Sequence, residues 1–237
     1  MNGWLAEIGS NFQQTFIDSN RWKALLSSLG VTLEITVFAL IVGVVLGIIV
    51  AVVRSTHDQK RMQGESGKLL SLANSVCQIY LTVIRGTPVM VQLLIMYFVI
   101  LASSTNTMLV ATLTFGINSG AYVAEIIRSG IMSIDKGQME AGRSLGISYV
   151  KTMWFIIIPQ AIKNILPALG NEFIALLKET SIVNVIGMKD ITKWAINVQG
   201  RTYQAFMPFI GIAVVYLVMV MILTKLVSIL ERKLNNG

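Results

Sequence analysis

The 237-residue chain has few of the residues on which catalysis and covalent cross-linking depend, with one cysteine and one histidine. A single cysteine excludes an internal disulfide. Cys77 lies in an apolar run, so we expect it to be a packing residue. His57 lies in a polar stretch, and we expect it to be solvated. With so few of these residues, neither a metal cluster nor a nucleophile–base pair can be assembled from the sequence.

The chain also has little charge. Only 13% of its residues are charged and 54% are hydrophobic, whereas a soluble domain carries about 25% charged residues. The mean hydropathy of +0.69 agrees with this composition. Because there is too little polar surface to cover a globule in water, lipid must surround much of the chain. The net charge of +7 is placed beside apolar runs, which favours a role in membrane topology over nucleic-acid binding.

The apolar runs predict five membrane spans, since a crossing takes about 20 apolar residues. We place them at about 28–53, 69–102, 108–127, 163–186 and 205–223, with polar loops at 54–68 and 188–203. The second run contains Arg85-Gly86-Thr87-Pro88, where the proline should kink or break the helix. In the first run, Gly43 and Gly47 are four residues apart, a spacing that permits close helix packing.

The ends of the chain differ from this spanning part. Residues 1–24 hold apolar side chains among polar ones and predict a short amphipathic helix at the membrane interface, with Trp4, Leu5, Ile8, Phe12 and Phe16 on its apolar side. We therefore divide the chain into an extracytoplasmic segment 1–24, a transmembrane domain 25–230 and a cytoplasmic tail 231–237. Lys and Arg are about twice as frequent in the segments assigned to the inside, which places the amino terminus outside and the carboxyl terminus inside.

The large inner loop, about 132–158, has a regular pattern. It reads Glu140-Ala141-Gly142, three residues, Gly146, nine residues, and then Ile156-Ile157-Ile158-Pro159. Residues 135–145 predict a short helix that ends at Gly146, and Pro159 should then start the chain in a new direction. A rigid surface helix joined to two spans can transmit a push from a cytoplasmic partner to both of them.

This spacing resembles the loop motif E-A-A-x3-G-x9-I-x-L-P of ABC importer permeases, with Gly142 in place of Ala and Ile158 in place of Leu. Three further segments resemble the polar amino-acid subfamily, and the resemblance covers about residues 25–230. They are RGTPVMVQ at 85–92, AYVAEIIRSGI at 121–131 followed by Gly137-Gln138, and LKETSIV at 177–183.

The resemblance implies an all-α bundle of five spans with a cytoplasmic coupling helix, in the plasma membrane of a prokaryote. It also implies a second permease subunit, identical or related, two cytoplasmic ATPase subunits and an external solute-binding protein. We expect this chain to be a non-catalytic translocation subunit that binds no cofactor, with ATP and magnesium on the ATPase. Its one approach to a phosphate loop, Gly67-Lys68, has Leu69 where a hydroxyl residue is needed. The predicted ATPase-coupling residues are Asp135, Gln138, Glu140, Ala141, Gly142 and Gly146.

Polar side chains within the spans predict where a substrate passes. Placing a charged group at the centre of a membrane helix costs about 2.5–3.5 kcal/mol, so such groups should face an interior or an aqueous cavity. Asn118, Tyr122, Glu125 and Ser129 recur at helical spacing, as do Ala168, Glu172, Ala175 and Glu179. We hypothesise that Glu172, Asn118, Gln92 and Tyr122 bind substrate, with Glu172 facing an amino group or a cationic side chain.

Other interpretations stay open. The same polar groups can make hydrogen bonds or ion pairs between helices, and we expect Glu125 and Arg128, three residues apart, to form a local pair. For the whole chain, the alternatives are a secondary transporter or channel for a small polar solute, or a structural membrane anchor. Neither alternative needs a docking helix for an ATPase, so the spacing of the inner loop favours the importer.

We expect replacement of Glu140 or Gly146 to uncouple ATP hydrolysis from transport, because either change alters the helix on which the ATPase would push. The measurement is ATP hydrolysed per solute imported in the reconstituted complex. Normal transport after a bulky charged substitution at Gly146 would contradict this role.

Overall fold

A computed structural model describes residues 2–62 and 67–235, and this part of the chain is almost wholly helical. Residues 63–66 of the predicted loop, and the side chains of Trp4 and Leu5, lie outside the described part. The α-helices are α1 (Asn2–Phe12), α2 (Arg21–Met62), α3 (Lys68–Gly86), α4 (Val89–Ile95), α5 (Thr107–Met132), α6 (Lys136–Ser144), α7 (Tyr149–Thr152), α8 (Ile158–Glu179), α9 (Ile191–Thr202) and α10 (Phe206–Asn235). Short π or 3-10 turns follow α1, α4, α7 and α8.

Four helical segments are long and apolar enough to cross a membrane: Glu7–Arg61, Thr107–Met132, Tyr149–Ile186 and Phe206–Leu234. A fifth is the pair formed by Lys68–Gly86 and Val89–Ile100, which are bent by 109° at the Thr87-Pro88 break. The predicted helical bundle of five spans is confirmed, and the kink lies where the proline predicted it. At 109°, the bend is a break between two helices and not a slight kink.

The centre of the bundle is the contact between α2 and α5, which depends on glycine. A Cβ added to Gly47 would lie 2.7 Å from Val123 Cβ and 3.0 Å from Ala124 N. On the opposing helix, a Cβ added to Gly116 would lie 2.6 Å from Val42 Cβ. The two backbones therefore approach more closely than side chains would allow, as the spacing of Gly43 and Gly47 predicted.

The prediction of a loop at 54–68 was wrong for residues 54–62, because these residues are helical and extend α2. His57 follows the buried Val50 and the half-buried Arg54 at helical spacing on α2, so it lies on the same face of this helix. The His57 side chain is only 8% exposed, and its Nδ1 lies 3.4 Å from Asp58 Oδ1. The expectation that His57 is solvated was therefore also wrong.

We expected the chain to change direction at Pro159, but it does not. Helical structure continues from Tyr149 to Ile186, with a π turn at Met153–Ile157 immediately before α8. Pro159 then falls in the first turn of α8, directly after this π turn, where the hydrogen-bond pattern of the helix changes.

The predicted polar loop 188–203 is also mostly a helix, α9. The Asp190 carboxylate starts this helix by accepting hydrogen bonds from Thr192 N at 3.0 Å and Lys193 N at 2.9 Å. Asp190 is fully buried, and its burial raises the pKa of this carboxyl although the N–H donors act in the other direction. Trp194, Ala195 and Val198 pack inward and fix α9 to the bundle.

We expect Gly47→Ala to destabilise the bundle by about 1–3 kcal/mol, because the new methyl group would overlap the stiff side chain of Val123. Gly30→Ala is the matched control, since Gly30 is in the same helix and a Cβ there would have nothing within 4 Å. Both changes raise helix propensity, so only the Gly47 variant should melt at a lower temperature in detergent. Equal melting temperatures for the two variants would contradict the close contact.

Candidate functional site

A cavity of about 360 Å³ with three charged residues in its lining lies between α3, α5 and α8. Its charged residues come from all three helices, and most of the rest are small or polar. The lining residues are Arg85, Tyr122, Glu125, Ile126, Ser129, Ala168, Asn171 and Glu172. Helical spacing on α5 and α8 places these side chains on facing surfaces, as the sequence predicted.

Glu172 enters this cavity from α8 and is oriented by α5. The Ser119 hydroxyl donates a hydrogen bond of 2.7 Å to Glu172 Oε1. Ser119 itself is fully buried. One carboxylate oxygen is therefore held by the protein, while the half-buried side chain still borders the cavity.

Arg85 brings a positive charge to the same cavity, and the sequence analysis did not select it as a site residue. It lies in the last turn of α3, a position at which the helix dipole favours a cation. Its guanidinium carbon lies 5.6 Å from the centre of the Tyr122 ring, in cation–π contact. An arginine directly before the Gly-Thr-Pro helix break was the sequence signal that could have identified it.

Glu125 is engaged by other arginines. Arg128 Nε donates to Glu125 Oε2 at 3.2 Å, and Arg54 Nη1 lies 3.9 Å from the same oxygen. The expected local pair of Glu125 and Arg128 is thus present. Glu125 and Arg85 also border a second cavity of about 540 Å³, which adjoins the first and includes Gln78 and Thr82 of α3. Because Glu125 is already paired, Arg85 is the more available charge between the two cavities.

Gln92 and Asn118 contact each other and stabilise the break between α3 and α4. Gln92 Nε2 donates to Ile84 O at 2.8 Å and to Thr87 O at 3.1 Å, and thus satisfies carbonyls at the end of α3. Gln92 Oε1 in turn accepts a hydrogen bond of 3.0 Å from Asn118 Nδ2. The Asn118 residue is only 3% exposed.

Of the four predicted substrate-binding residues, the structure places Tyr122 and Glu172 at the cavity. Asn118 and Gln92 lie beside one another, and neither is among the residues that line it. Substrate contact by any of the four stays a prediction.

The inner helix α6 has well-defined ends. Asp135 caps its start by accepting a hydrogen bond from Gly137 N at 2.6 Å. At its end, Gly146 N donates to Arg143 O and Ile147 N donates to Gly142 O, with Gly146 at φ +77°. This pair of hydrogen bonds is that of a Schellman motif, which requires a left-handed backbone conformation at Gly146. The predicted helix is confirmed, including its terminal glycine.

The face of α6 that packs inward is set by Gly142. A Cβ at Gly142 would lie 2.6 Å from Thr152 Cγ2, so α6 lies directly against the short helix that leads into α8. The predicted coupling residues Gln138, Glu140 and Ala141 are exposed on the other faces. At the other end of the loop, Asn164 Nδ2 donates to Ser133 Oγ at 2.8 Å and joins α8 to the end of α5.

A helical bundle of this kind, with a charged cavity between spans and a capped helix fixed at one end, defines a membrane transport subunit. Residues 68–236 match the family described as binding-protein-dependent transport system inner membrane component. The chain belongs to this family. It is therefore a multi-pass component of the inner membrane, and the predicted class, a non-catalytic translocation subunit, is confirmed.

Individual relatives agree with this assignment over nearly the whole chain. The chain is 38% identical to the arginine transport system permease protein ArtQ of Bacillus subtilis strain 168, over 90% of this chain and 93% of that protein. It is 33% identical to the glutamine transport system permease protein GlnP of Escherichia coli K12, over 90% and 95%. The solved structure of an amino acid ABC transporter with histidines superposes with a TM-score of 0.80 at 44% identity, over 89% of this chain and 94% of that one.

We expect Gln92→Ala to destabilise the protein by about 1–3 kcal/mol, because it leaves carbonyls at the end of α3 and the Asn118 amide without partners. The measurement is the melting temperature of the purified protein in detergent. Gln78→Ala is the matched control, since Gln78 is exposed on α3. Equal melting temperatures for the two variants would contradict a stabilising role of Gln92.

Proposed function

We propose that this chain is the permease subunit of an ATP-driven importer that translocates a polar amino acid, with a preference for a cationic one, by alternating access. The proposal rests first on one observation: Arg85 and Glu172, of opposite charge, border the same cavity. Every amino acid carries a carboxylate and an ammonium group, so such a cavity matches both of its ends. The relatives named for arginine and glutamine transport support a polar amino acid.

Each charge has a role in this proposal. Arg85 receives the α-carboxylate of the substrate, because a guanidinium group offers two parallel N–H donors to a carboxylate. Glu172 receives the cationic group, either the α-ammonium or a charged side chain, while Ser119 keeps its carboxylate in place. Tyr122 forms the wall between them and holds Arg85. Asn118 and Gln92 act mainly from behind the cavity by fixing the α3–α4 break.

The family and the exposed faces of α6 support the partners that we propose. A cytoplasmic ATPase subunit, which holds ATP and magnesium, docks on the exposed faces of α6, including Glu140, Ala141 and Gln138. A second permease chain, identical or related, completes the membrane part. A solute-binding protein delivers the substrate on the opposite side. This arrangement places the amino terminus outside and the carboxyl terminus inside, in agreement with the bias of Lys and Arg.

Force reaches the cavity through α6. Closure of the ATPase subunits moves α6, which is packed on Thr152 through Gly142. Thr152 continues without a break in the helical path into α8, which carries Glu172. The cavity thereby changes from inward- to outward-facing with each ATP cycle.

The test is reconstitution of the permease with its ATPase in lipid vesicles, with binding protein and candidate amino acids added. We expect ATP hydrolysis to rise only when binding protein and its amino acid are both present, and uptake to require ATP. Uptake driven by an ion gradient without the ATPase would favour the alternative, a secondary transporter or channel.

The Glu172→Gln variant of this complex tests the site itself. Glutamine keeps an oxygen that accepts the Ser119 hydrogen bond but removes the charge, so we expect about tenfold weaker half-maximal stimulation by arginine and little change for glutamine. Glu34→Gln is the control, because Glu34 is exposed on α2 away from the cavity. An equal loss for both amino acids would assign Glu172 to the α-ammonium group that they share. No loss with arginine, or an equal loss in both variants, would contradict recognition of a cation by Glu172.

A further inference from the structure

A second basic site lies at the end of the bundle that the proposed orientation places outside. There the segment before α2 is fixed to α9 and α10. Trp194 Nε1 donates to Arg21 O at 3.0 Å, and the Phe16 ring stacks on Trp194 with a centroid distance of 5.6 Å. Arg21 Nη1 also donates to Gln14 O. These contacts hold the start of α2 and the outer helix α9 as one rigid unit.

A small cavity of about 110 Å³ opens between these two helices. It is lined by Arg21, Ala24, Trp194, Asn197, Val198 and Arg201. Two of the six residues are arginines, one is an amide, and none is acidic. Within residues 2–62 and 67–235, Arg21 Nε is buried without a hydrogen-bond acceptor.

A buried donor without a partner destabilises the protein. The Arg21 guanidinium therefore lacks one of its acceptors, and an anion in the cavity would pair with the charge of this group. Two guanidinium groups and a carboxamide suit an oxyanion, and a carboxylate can accept from both arginines at once. The small volume limits the ligand to the end of a side chain or a small anion, and excludes a whole amino acid beside these residues.

We propose that this cavity receives an acidic side chain of the solute-binding protein when that protein docks, an inference that rests on the proposed function. Arg21 is the fixed donor, because Gln14 and Trp194 hold it in place. Arg201 is exposed at the carboxyl end of α9 and closes over the carboxylate.

The surroundings favour a protein ligand over a lipid phosphate. The exposed residues of α9 are Asn197, Gly200 and Arg201, so the outer face of this helix has no large apolar side chain to place in lipid. By contrast, the exposed residues near the start of α10 include Phe206, Phe209 and Ile210, as expected of a surface in the bilayer. Ile17 and Trp22, near the start of α2, are also exposed and apolar, whereas the exposed residues of α9 are not. A soluble protein can therefore reach the cavity from the α9 side.

The experiment measures the concentration of binding protein that half-maximally stimulates ATP hydrolysis by the complex in nanodiscs. The probe is the binding protein that stimulates the wild-type complex in the reconstitution above. We compare Arg201→Gln and Arg201→Lys with the control Lys23→Gln, which removes an exposed charge outside the cavity. The nanodiscs contain either phosphatidylcholine alone or phosphatidylcholine with phosphatidylglycerol.

We expect Arg201→Gln to raise the half-maximal concentration about tenfold in both lipids, without changing the maximal rate, while Lys23→Gln changes it less than about twofold. Arg201→Lys should recover part of the loss. Raising the salt concentration should weaken docking of the wild type more than that of Arg201→Gln.

An unchanged half-maximal concentration in Arg201→Gln would overturn the inference while leaving the proposed function intact. An effect seen only with phosphatidylglycerol would also overturn it, and would assign the cavity to a lipid headgroup. A wild-type complex that no binding protein stimulates would instead remove the proposed function, and this inference with it.

Discussion

The bundle depends on the close approach of α2 to α5 at positions where one helix has a glycine. Val123 of α5 packs on Gly47 of α2, and Val42 of α2 packs on Gly116 of α5, so that α5 lies deep in the protein. Three residues of α5 then make polar contacts to the residues of the site. Ser119 orients Glu172, Asn118 holds Gln92, and Tyr122 contacts Arg85. In lipid, packing rather than hydrophobic burial holds helices together, so the position of the cavity follows from this close contact.

A second constraint comes from the absence of water around the spans. Each break in a membrane helix exposes backbone groups that must find partners within the protein. The break at Thr87-Pro88 is the clearest case, because Gln92 accepts from Asn118 and donates to two carbonyls there. Polar residues in a span thus have two uses. Gln92 and Asn118 provide hydrogen-bond partners at the helix break, whereas Glu172 and Arg85 border the cavity.

Features set by local sequence were predictable and others were not. The capped helix α6 and the glycine contact follow from neighbouring residues, so spacing alone predicted them. Helix α9 was missed because its buried face is completed by Phe16 and Leu25 from distant parts of the chain. His57 was misjudged because burial at a helix end depends on what packs there. For Arg85, the sequence shows the charge and the break, but only the fold brings the residue to Tyr122.

Arg85 and Glu172, which border the cavity, lie on different helices, α3 and α8, and this bears on how an importer could release its substrate. Glu172 lies on the same helical path as Thr152, which contacts α6. At 1.5 Å per residue, the two residues are about 30 Å apart along the helix. Arg85 is on α3, which packs on α2 and α5 and has its own end fixed by Gln92. Under the proposed function, a push on α6 shifts Glu172 relative to Arg85. An amino acid spans a fixed distance between its charges, so only one arrangement binds it well, and the difference in affinity between the two states couples ATP to release.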